Sequence, residues 1–134
     1  MKTKPTLTLD DARRMAAAGE AEANRNQWNV VIAVCDDGGH LILLHRLDGV
    51  APISSYIAPE KARAAAMGKR ETKVYEDMIN QGRNAFLSAP LQGMLEGGVP
   101  VIVDGQVIGA VGVSGVKSSE DAQIAKAAIA ALGG

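Results

Sequence analysis

Apolar residues recur at helical spacing near the start of the chain. From Thr8 as far as Ala23, small and apolar side chains follow one another every three or four residues, which is the period of one face of an α-helix. Thr8 and Asp11 have the spacing of a capping box, in which each side chain bonds to the other residue's backbone N–H. We therefore predict a first helix after Thr8, with a small-residue face that needs a close neighbour.

Two pairs of short apolar runs predict two β-hairpins. The runs lie at residues 30–35, 41–45, 99–103 and 107–113. The first two are separated by Asp36-Asp37-Gly38-Gly39 and the last two by Asp104-Gly105, and both segments are rich in residues that favour tight turns. Strands joined by such short turns are antiparallel. The runs therefore predict two antiparallel strand pairs.

A second helix is predicted from Ser54 or Ser55 to about Arg70. We expect one of the two serines to cap it and Pro59 to lie in its first turn, where a missing N–H costs least. A face of small residues again recurs at helical spacing. It comprises Ala58, Ala62, Ala65 and Ala66.

Two further helices complete the predicted order. One runs from Thr72 to Ile79, and Ser118 caps the last one, while residues 81–98 form an irregular segment rich in glycine and proline. The order is α-β-β-α-α-β-β-α. We predict an α+β domain over residues 1–134, in which the two hairpins share an antiparallel sheet with helices packed over it.

Composition narrows the classes of function. Fourteen basic and fifteen acidic residues give a net charge of -1, which argues against a nucleic-acid partner. The single cysteine, Cys35, excludes an internal disulfide and a multi-cysteine metal site. No apolar run approaches the ~20 residues of a membrane span, and no secretory leader is evident. We expect a cytoplasmic protein that contacts no membrane.

Several short motifs together resemble, in order, those of the GlcG/HbpS family of haem-binding-like proteins. They are Asp37-Gly38-Gly39-His40-Leu41, Arg46-Leu47-Asp48-Gly49, Ala58-Pro59-Glu60-Lys61-Ala62, Gly97-Gly98-Val99-Pro100 and the run from Gly109 to Gly115, followed by Asp121. The resemblance extends from about Thr8 to Gly133. It implies a small profilin-like α+β fold and a homo-oligomer. Members are associated with haem or corrinoids, with glycolate or diol catabolism, and in some branches with enzymes acting on small organic substrates.

Arg46 and Asp48 are candidate ligand-binding residues. They lie two positions apart at the end of a predicted strand, so their side chains project to the same side. Such a pair alone indicates a surface salt bridge, whereas the family resemblance favours a site in which Arg46 binds a carboxylate through its planar fork. Gly49, which follows them, is also a candidate ligand-binding residue. Gly112 is another, since a glycine within a strand marks close approach of a ligand, a helix or another subunit.

Four side chains are candidates for proton transfer: Lys61, Asp48, Glu120 and Asp121. Lys61 lies on the alanine-rich helix and is either a solvated lysine or a partly buried one held beside the arginine, where it anchors an anion or transfers protons. Glu120 and Asp121 open the last helix, where acids complement the helix dipole or aim a carboxylate into a cleft. Because Asp121 has the capping-box spacing from Ser118, we expect Glu120 to be the freer base.

His40 and His45 are the candidate haem ligands. Five residues apart, they point to opposite faces of a single strand and cannot chelate one metal together, although either alone suits haem iron. Each is otherwise a surface or structural histidine. The sequence contains no zinc-ligand spacing, phosphate loop or nucleophile elbow, and we therefore predict no metal site.

Three functions remain open on the sequence alone. The first is a cofactor-free lyase or hydratase, because no redox-cofactor motif is present. Its substrate would be a small anionic molecule, and the family suggests an aromatic or hydroxylamino-aromatic carboxylate. The second is a haem- or tetrapyrrole-binding protein, which the family name favours although only 3% of residues are aromatic. The third is a non-catalytic structural oligomer. We expect a homo-oligomer because the small-residue helix faces suit subunit packing.

Overall fold

The chain forms one antiparallel sheet with helices on both of its faces. The computed structural model describes residues 1–133. Its elements are α1 (Leu9–Arg25), β1 (Val31–Asp36), β2 (Leu41–Arg46), α2 (Ser54–Gly68), α3 (Thr72–Asn80), a short 3-10 helix (Asn84–Ser88), β3 (Gly98–Val103), β4 (Gln106–Ser114) and α4 (Ser118–Ala130). This order confirms the predicted α+β class. The 3-10 helix is the one addition, and it lies in the segment predicted to be irregular.

The sheet joins the two hairpins through their inner strands. The strand order is β2-β1-β4-β3, and each neighbouring pair is antiparallel. Val31 pairs with Arg46 on one side and with Ser114 on the other. One end of the sheet therefore carries the last residues of β2 and β4 beside the first residue of β1.

The two faces of the sheet are covered by different helices. Ile32 and Val34 belong to the core that includes residues of α1 and α4, whereas Val31 and Ala33 contact the alanines of α2. Because β1 is buried on both faces, its sequence is an uninterrupted apolar run rather than an alternating one. No helix within residues 1–133 has the length and apolar character needed to cross a membrane.

Small residues allow α2 to approach the sheet closely. Gly98 and Gly112 are cross-strand partners. A Cβ atom on Gly112 would lie 2.1 Å from the carbonyl oxygen of Ala58, and one on Gly98 would lie 2.3 Å from that of Lys61. The close neighbour expected at Gly112 is therefore the helix backbone of the same chain.

The small-residue faces of the helices are used within the chain. The alanines of α2 are buried against the sheet, and a Cβ atom on Gly19 of α1 would lie 3.4 Å from the Cβ of Ala128 in α4. These faces were the residue-level reason for expecting a homo-oligomer, and intrachain packing accounts for them. That expectation now depends on the family resemblance.

The start of α2 differs from the prediction. Its N-cap is Ile53, neither serine caps it, and Pro59 is the sixth helical residue rather than a residue of the first turn. A turn at residues 51–54 leads directly into the helix, with the Ser54 N–H donating to the Ala51 carbonyl over 3.0 Å. The Ser54 hydroxyl instead hydrogen-bonds the Ser114 hydroxyl at 3.2 Å. It thereby joins the start of α2 to the end of β4.

Adding a methyl group at Gly112 tests the close contact between α2 and the sheet. We expect Gly112→Ala to lower the free energy of unfolding by about 1–3 kcal/mol, because the new Cβ meets backbone atoms that cannot move alone. Urea denaturation measures the change. Gly133→Ala is the matched control, since its nearest neighbour would lie 3.7 Å away. Equal urea midpoints for the two variants would refute the proposed contact.

Candidate functional site

A buried ion pair links the two helix layers past the end of the sheet. The Lys61 ammonium group on α2 donates to Oδ2 of Asp121 on α4 over 3.1 Å and to the Val113 carbonyl oxygen over 2.9 Å. Both side chains are only 4% exposed. Since α2 and α4 cover opposite faces of the sheet, this pair connects the helix layers on the two faces.

Gly97 provides the space for this ion pair. Its φ of +130° is unfavourable for residues with a side chain, and a Cβ there would lie 2.7 Å from the Lys61 ammonium nitrogen. The second carboxylate oxygen of Asp121 accepts a hydrogen bond from the Val116 N–H at 3.1 Å. Within residues 1–133, no buried side-chain nitrogen or oxygen lacks a hydrogen-bond partner. The charges are therefore paired and hydrogen-bonded, as burial requires.

Burial also changes the acidity of the carboxyl group. It raises the pKa of Asp121, while the Lys61 ammonium group and the Val116 N–H act in the opposite direction. A carboxyl group with a raised pKa beside an ammonium group is often found at catalytic sites where a proton is transferred. Buried ion pairs that serve structure alone share this property. Both side chains of this pair lie beneath the surface, each only 4% exposed.

The other predicted acid on α4 is occupied differently from the expectation. The helix begins at Ser118 with Lys117 as its N-cap, and the Lys117 N–H donates to Oε1 of Glu120 over 3.3 Å. The capping position therefore falls on Glu120, one residue earlier than predicted. The expectation that Asp121 caps the helix and Glu120 is freer is wrong, because Asp121 turns inward to the lysine.

Arg46 and Asp48 remain on the surface. Both residues are exposed, and Arg46 shares a sheet face with α2 because it pairs with Val31. No ion pair joins Arg46 to Asp48 in the part of the chain that the structure describes. Gly49 follows with a φ of +85°, beside the Asn29 side chain. Within residues 1–133, no ion pair or hydrogen bond ties this group to Lys61.

Each histidine has one ring nitrogen beside a carboxylate. Nδ1 of His40 lies 3.1 Å from Oδ1 of Asp36 in the β1–β2 turn. Nδ1 of His45 lies 2.5 Å from Oε1 of Glu20 on α1. A carboxylate on Nδ1 favours the tautomer in which Nε2 is available to a metal, as is common for ligating histidines. The two side chains are 81% and 40% exposed, so neither is enclosed by the rest of the chain.

Sequence reasoning missed a groove between α2, α3 and residues 84–95. It consists of three adjoining cavities of about 360, 440 and 150 Å³. We call it the α2–α3 groove. Its lining comprises Tyr56, Ile57, Glu60, Arg63, Glu76, Ile79, Asn80, Leu87, Ala89, Pro90, Leu91, Gln92, Gly93, Met94 and Leu95. One feature of the sequence could have indicated this groove. Leu87, Leu91 and Leu95 recur every four residues, which is unusual in a segment rich in glycine and proline.

The structure supports neither a reactive cysteine nor a metal site among the described residues. Burial raises the pKa of the Cys35 thiol to about 12, so this side chain stays protonated and packs as a small hydrophobe. Among residues 1–133, no group of three or more histidine, cysteine, aspartate or glutamate side chains is placed to hold a metal ion.

Removing the charge of Asp121 tests the buried ion pair. We expect Asp121→Asn to lower the free energy of unfolding by about 3–5 kcal/mol, because the Lys61 ammonium group would remain buried without a counter-charge. The double variant Lys61→Met with Asp121→Leu should lose much less free energy of unfolding, because neither charge then remains buried alone. Lys73→Met is the control: it breaks the exposed Lys73–Asp77 pair and should cost under about 1 kcal/mol. A loss for Asp121→Asn no larger than this control would contradict the prediction.

Comparison with known proteins agrees with the family resemblance. The family model described as "Haem degrading protein HbpS-like" matches residues 7–130. The protein GlcG of Escherichia coli K12 is 62% identical over 114 residues, which are 85% of each chain.

Solved structures show the same fold. The Klebsiella pneumoniae protein ORFY superposes with a TM-score of 0.90 at 34% identity, covering 99% of this chain and 94% of the other. A structure described as "PduOC:Heme Complex" gives a TM-score of 0.85 at 29% identity and covers 95% of each chain. The sequence match and the shared architecture lead to one conclusion: the chain belongs to the HbpS-like family, which includes GlcG.

Proposed function

We propose that this protein binds haem or a related tetrapyrrole in the α2–α3 groove. The observation that carries the proposal is the combination, in one groove, of apolar walls, candidate iron ligands and a cation. The description of the family and the haem complex of PduOC support this function over a lyase activity. Each of the two larger cavities falls within the range of small-molecule sites, about 300–1,000 Å³.

The residues of the groove fit the chemical needs of a haem. Ile79, Leu87 and Leu91 offer apolar contacts to a ring, and the Met94 thioether lines the same cavity. Methionine and tyrosine are both known haem ligands, and Tyr56 lines the adjoining cavity. We favour Met94, because it is half-buried whereas Tyr56 is 78% exposed.

Arg63 supplies the charge complement for the propionate groups. Arg63 lines the more polar cavity of the groove together with Glu60, whose carboxylate lies 3.9 Å from the Arg63 guanidinium group. Its side-chain stem lies over Gly39, where a Cβ atom would come within 2.7 Å of it. Arginine binds carboxylates through a planar pair of N–H donors. A bound haem would contribute iron chemistry, and the chain would bind the ring, orient it and exclude water from one face.

Titration with haemin tests this function. We expect the wild-type chain to shift the Soret band on binding, and Met94→Leu to alter the spectrum because it removes the sulfur while nearly preserving volume. Met67→Leu is the matched control, since Met67 is exposed on α2 and outside the groove. Absorption spectra and the Kd for haemin are the measurements.

The histidine variants separate ligand identity from binding itself. If His40→Ala or His45→Ala abolishes the spectral shift and Met94→Leu does not, a histidine is the ligand and the groove assignment is wrong. If the wild-type chain leaves the haemin spectrum unchanged, the proposed function itself is wrong.

A cofactor-free lyase acting on a small anionic substrate is the second candidate function. The observation in its favour is the exposed guanidinium group of Arg46, which makes no ion pair with any of residues 1–133. Proton transfer would fall to Asp48 on the surface or to the buried Lys61 and Asp121. Glu120 is less suited, since its carboxylate accepts the Lys117 N–H.

Arg46→Ala tests the second candidate. A carboxylate ligand should bind more weakly by about 1.5–3 kcal/mol, the range for a hydrogen bond to a charged group. The melting temperature should hardly change, because the side chain is exposed. Calorimetric titration with a set of aromatic carboxylates measures the effect, and Arg70→Ala serves as a control on another surface. Equal affinities in wild type and Arg46→Ala would remove Arg46 from any substrate site.

A further inference from the structure

A separate cavity, at the end of the sheet opposite to Arg46, is lined by three lysines. It has a volume of about 390 Å³ and lies between the N-terminal segment, the β3–β4 turn and the end of α2. We call it the lysine cavity. Its lining comprises Lys2, Lys4, Lys69, Ile102, Gly105, Gln106 and Val107. It shares no lining residue with the α2–α3 groove.

Hydrogen bonds hold the N-terminal segment in place beside this cavity. The Gln106 side-chain amide donates to the Thr3 carbonyl over 2.9 Å, and the Lys4 ammonium group donates to the Val107 carbonyl over 3.4 Å. The segment therefore follows β4, and the first two lysines are brought to the β3–β4 hairpin by specific contacts.

Two of the three lysines at this cavity have no counter-charge among the described residues. Lys4 forms an ion pair with Asp37 at 2.5 Å. Across residues 1–133, neither Lys2 nor Lys69 forms an ion pair, and no acidic side chain lines the cavity. Lys2 and Lys69 therefore leave two unpaired positive charges at one cavity, and an anion bound there would be attracted to both.

The backbone conformation of Lys69 makes this residue suitable for a test. Lys69 is the C-cap of α2 and has φ +58° and ψ +38°, the left-handed conformation. Glycine is the usual residue at such helix ends because it has no Cβ penalty there. Replacing Lys69 by glycine therefore removes the ammonium group without straining the end of α2.

We propose that the lysine cavity binds a small oxyanion with at least two negative charges, either a phosphate compound or a polycarboxylate. Lysine binds phosphate and carboxylate as a compact point charge with three donors, and the cavity has the size of a small-molecule site. The apolar side chains of Ile102 and Val107 leave room for a short carbon skeleton beside the charged group. This ligand is independent of the haem proposed for the α2–α3 groove.

Replacing Lys69 by glycine separates binding from stability. Lys69→Gly should raise the melting temperature, because glycine adopts the left-handed conformation without strain. The same change should weaken anion binding at least about tenfold, as expected for the loss of one charged hydrogen-bond donor. The probes are pyrophosphate and citrate, titrated calorimetrically into the full chain at low ionic strength, and the tighter of the two identifies the class of anion.

Lys73→Met is the control for nonspecific charge effects. Lys73 is paired with Asp77 on α3, and it does not line the cavity. Lys73→Met should leave the affinities for pyrophosphate and citrate unchanged, whereas Lys2→Met should weaken binding as Lys69→Gly does. The proposal is overturned if the wild-type chain binds neither probe, or if Lys73→Met reduces the affinity as much as Lys69→Gly.

Discussion

The arrangement of this domain depends on the buried ion pair between Lys61 and Asp121. Its two members belong to helices on opposite faces of the sheet, so the pair fixes the position of α2 relative to α4. Two buried charges are costly unless paired and hydrogen-bonded, and Val113 and Val116 provide the additional backbone partners. Gly97 must lack a side chain for the same reason. One electrostatic contact thus constrains two helices, the end of β4 and the start of β3.

Close packing of α2 on the sheet leaves its outer face for binding. The backbone of α2 lies directly against Gly98 and Gly112, which excludes a ligand from that face. Tyr56, Glu60 and Arg63 point away from the sheet and line the α2–α3 groove. The same helix therefore combines a tightly packed inner surface with an outer surface that forms a cavity. This division explains why the groove is built by α2 and residues 84–95 rather than by the strands.

The candidate binding places are spatially distinct. Arg46 lies at the end of the edge strand β2, and the lysine cavity includes the β3–β4 turn and the end of α2. Haem in the groove and an oxyanion among the lysines require different surfaces, so one can be lost by substitution without the other. This separation allows each proposed ligand to be tested by its own variants.

The sequence by itself determined the elements and their order. Hydrophobic period, turn dipeptides and capping spacing are local properties, and they predicted both hairpins, the antiparallel sheet and the four helices. Short motifs also identified the family. Local spacing was less reliable at helix starts: Pro59 lies deeper in α2 than predicted, and Glu120 rather than Asp121 accepts the hydrogen bond at the start of α4.

The tertiary structure decided which distant residues meet. Lys61 and Asp121 are 60 positions apart, and no local pattern shows that a helix on one face reaches an acid on the other. The α2–α3 groove likewise arises because an irregular segment lies across α2, and the conformation of such a segment depends on tertiary contacts rather than on its own propensities. Periodicity reports which residues share a face of one element, whereas the pairing of charges and the walls of a cavity depend on how those faces are assembled.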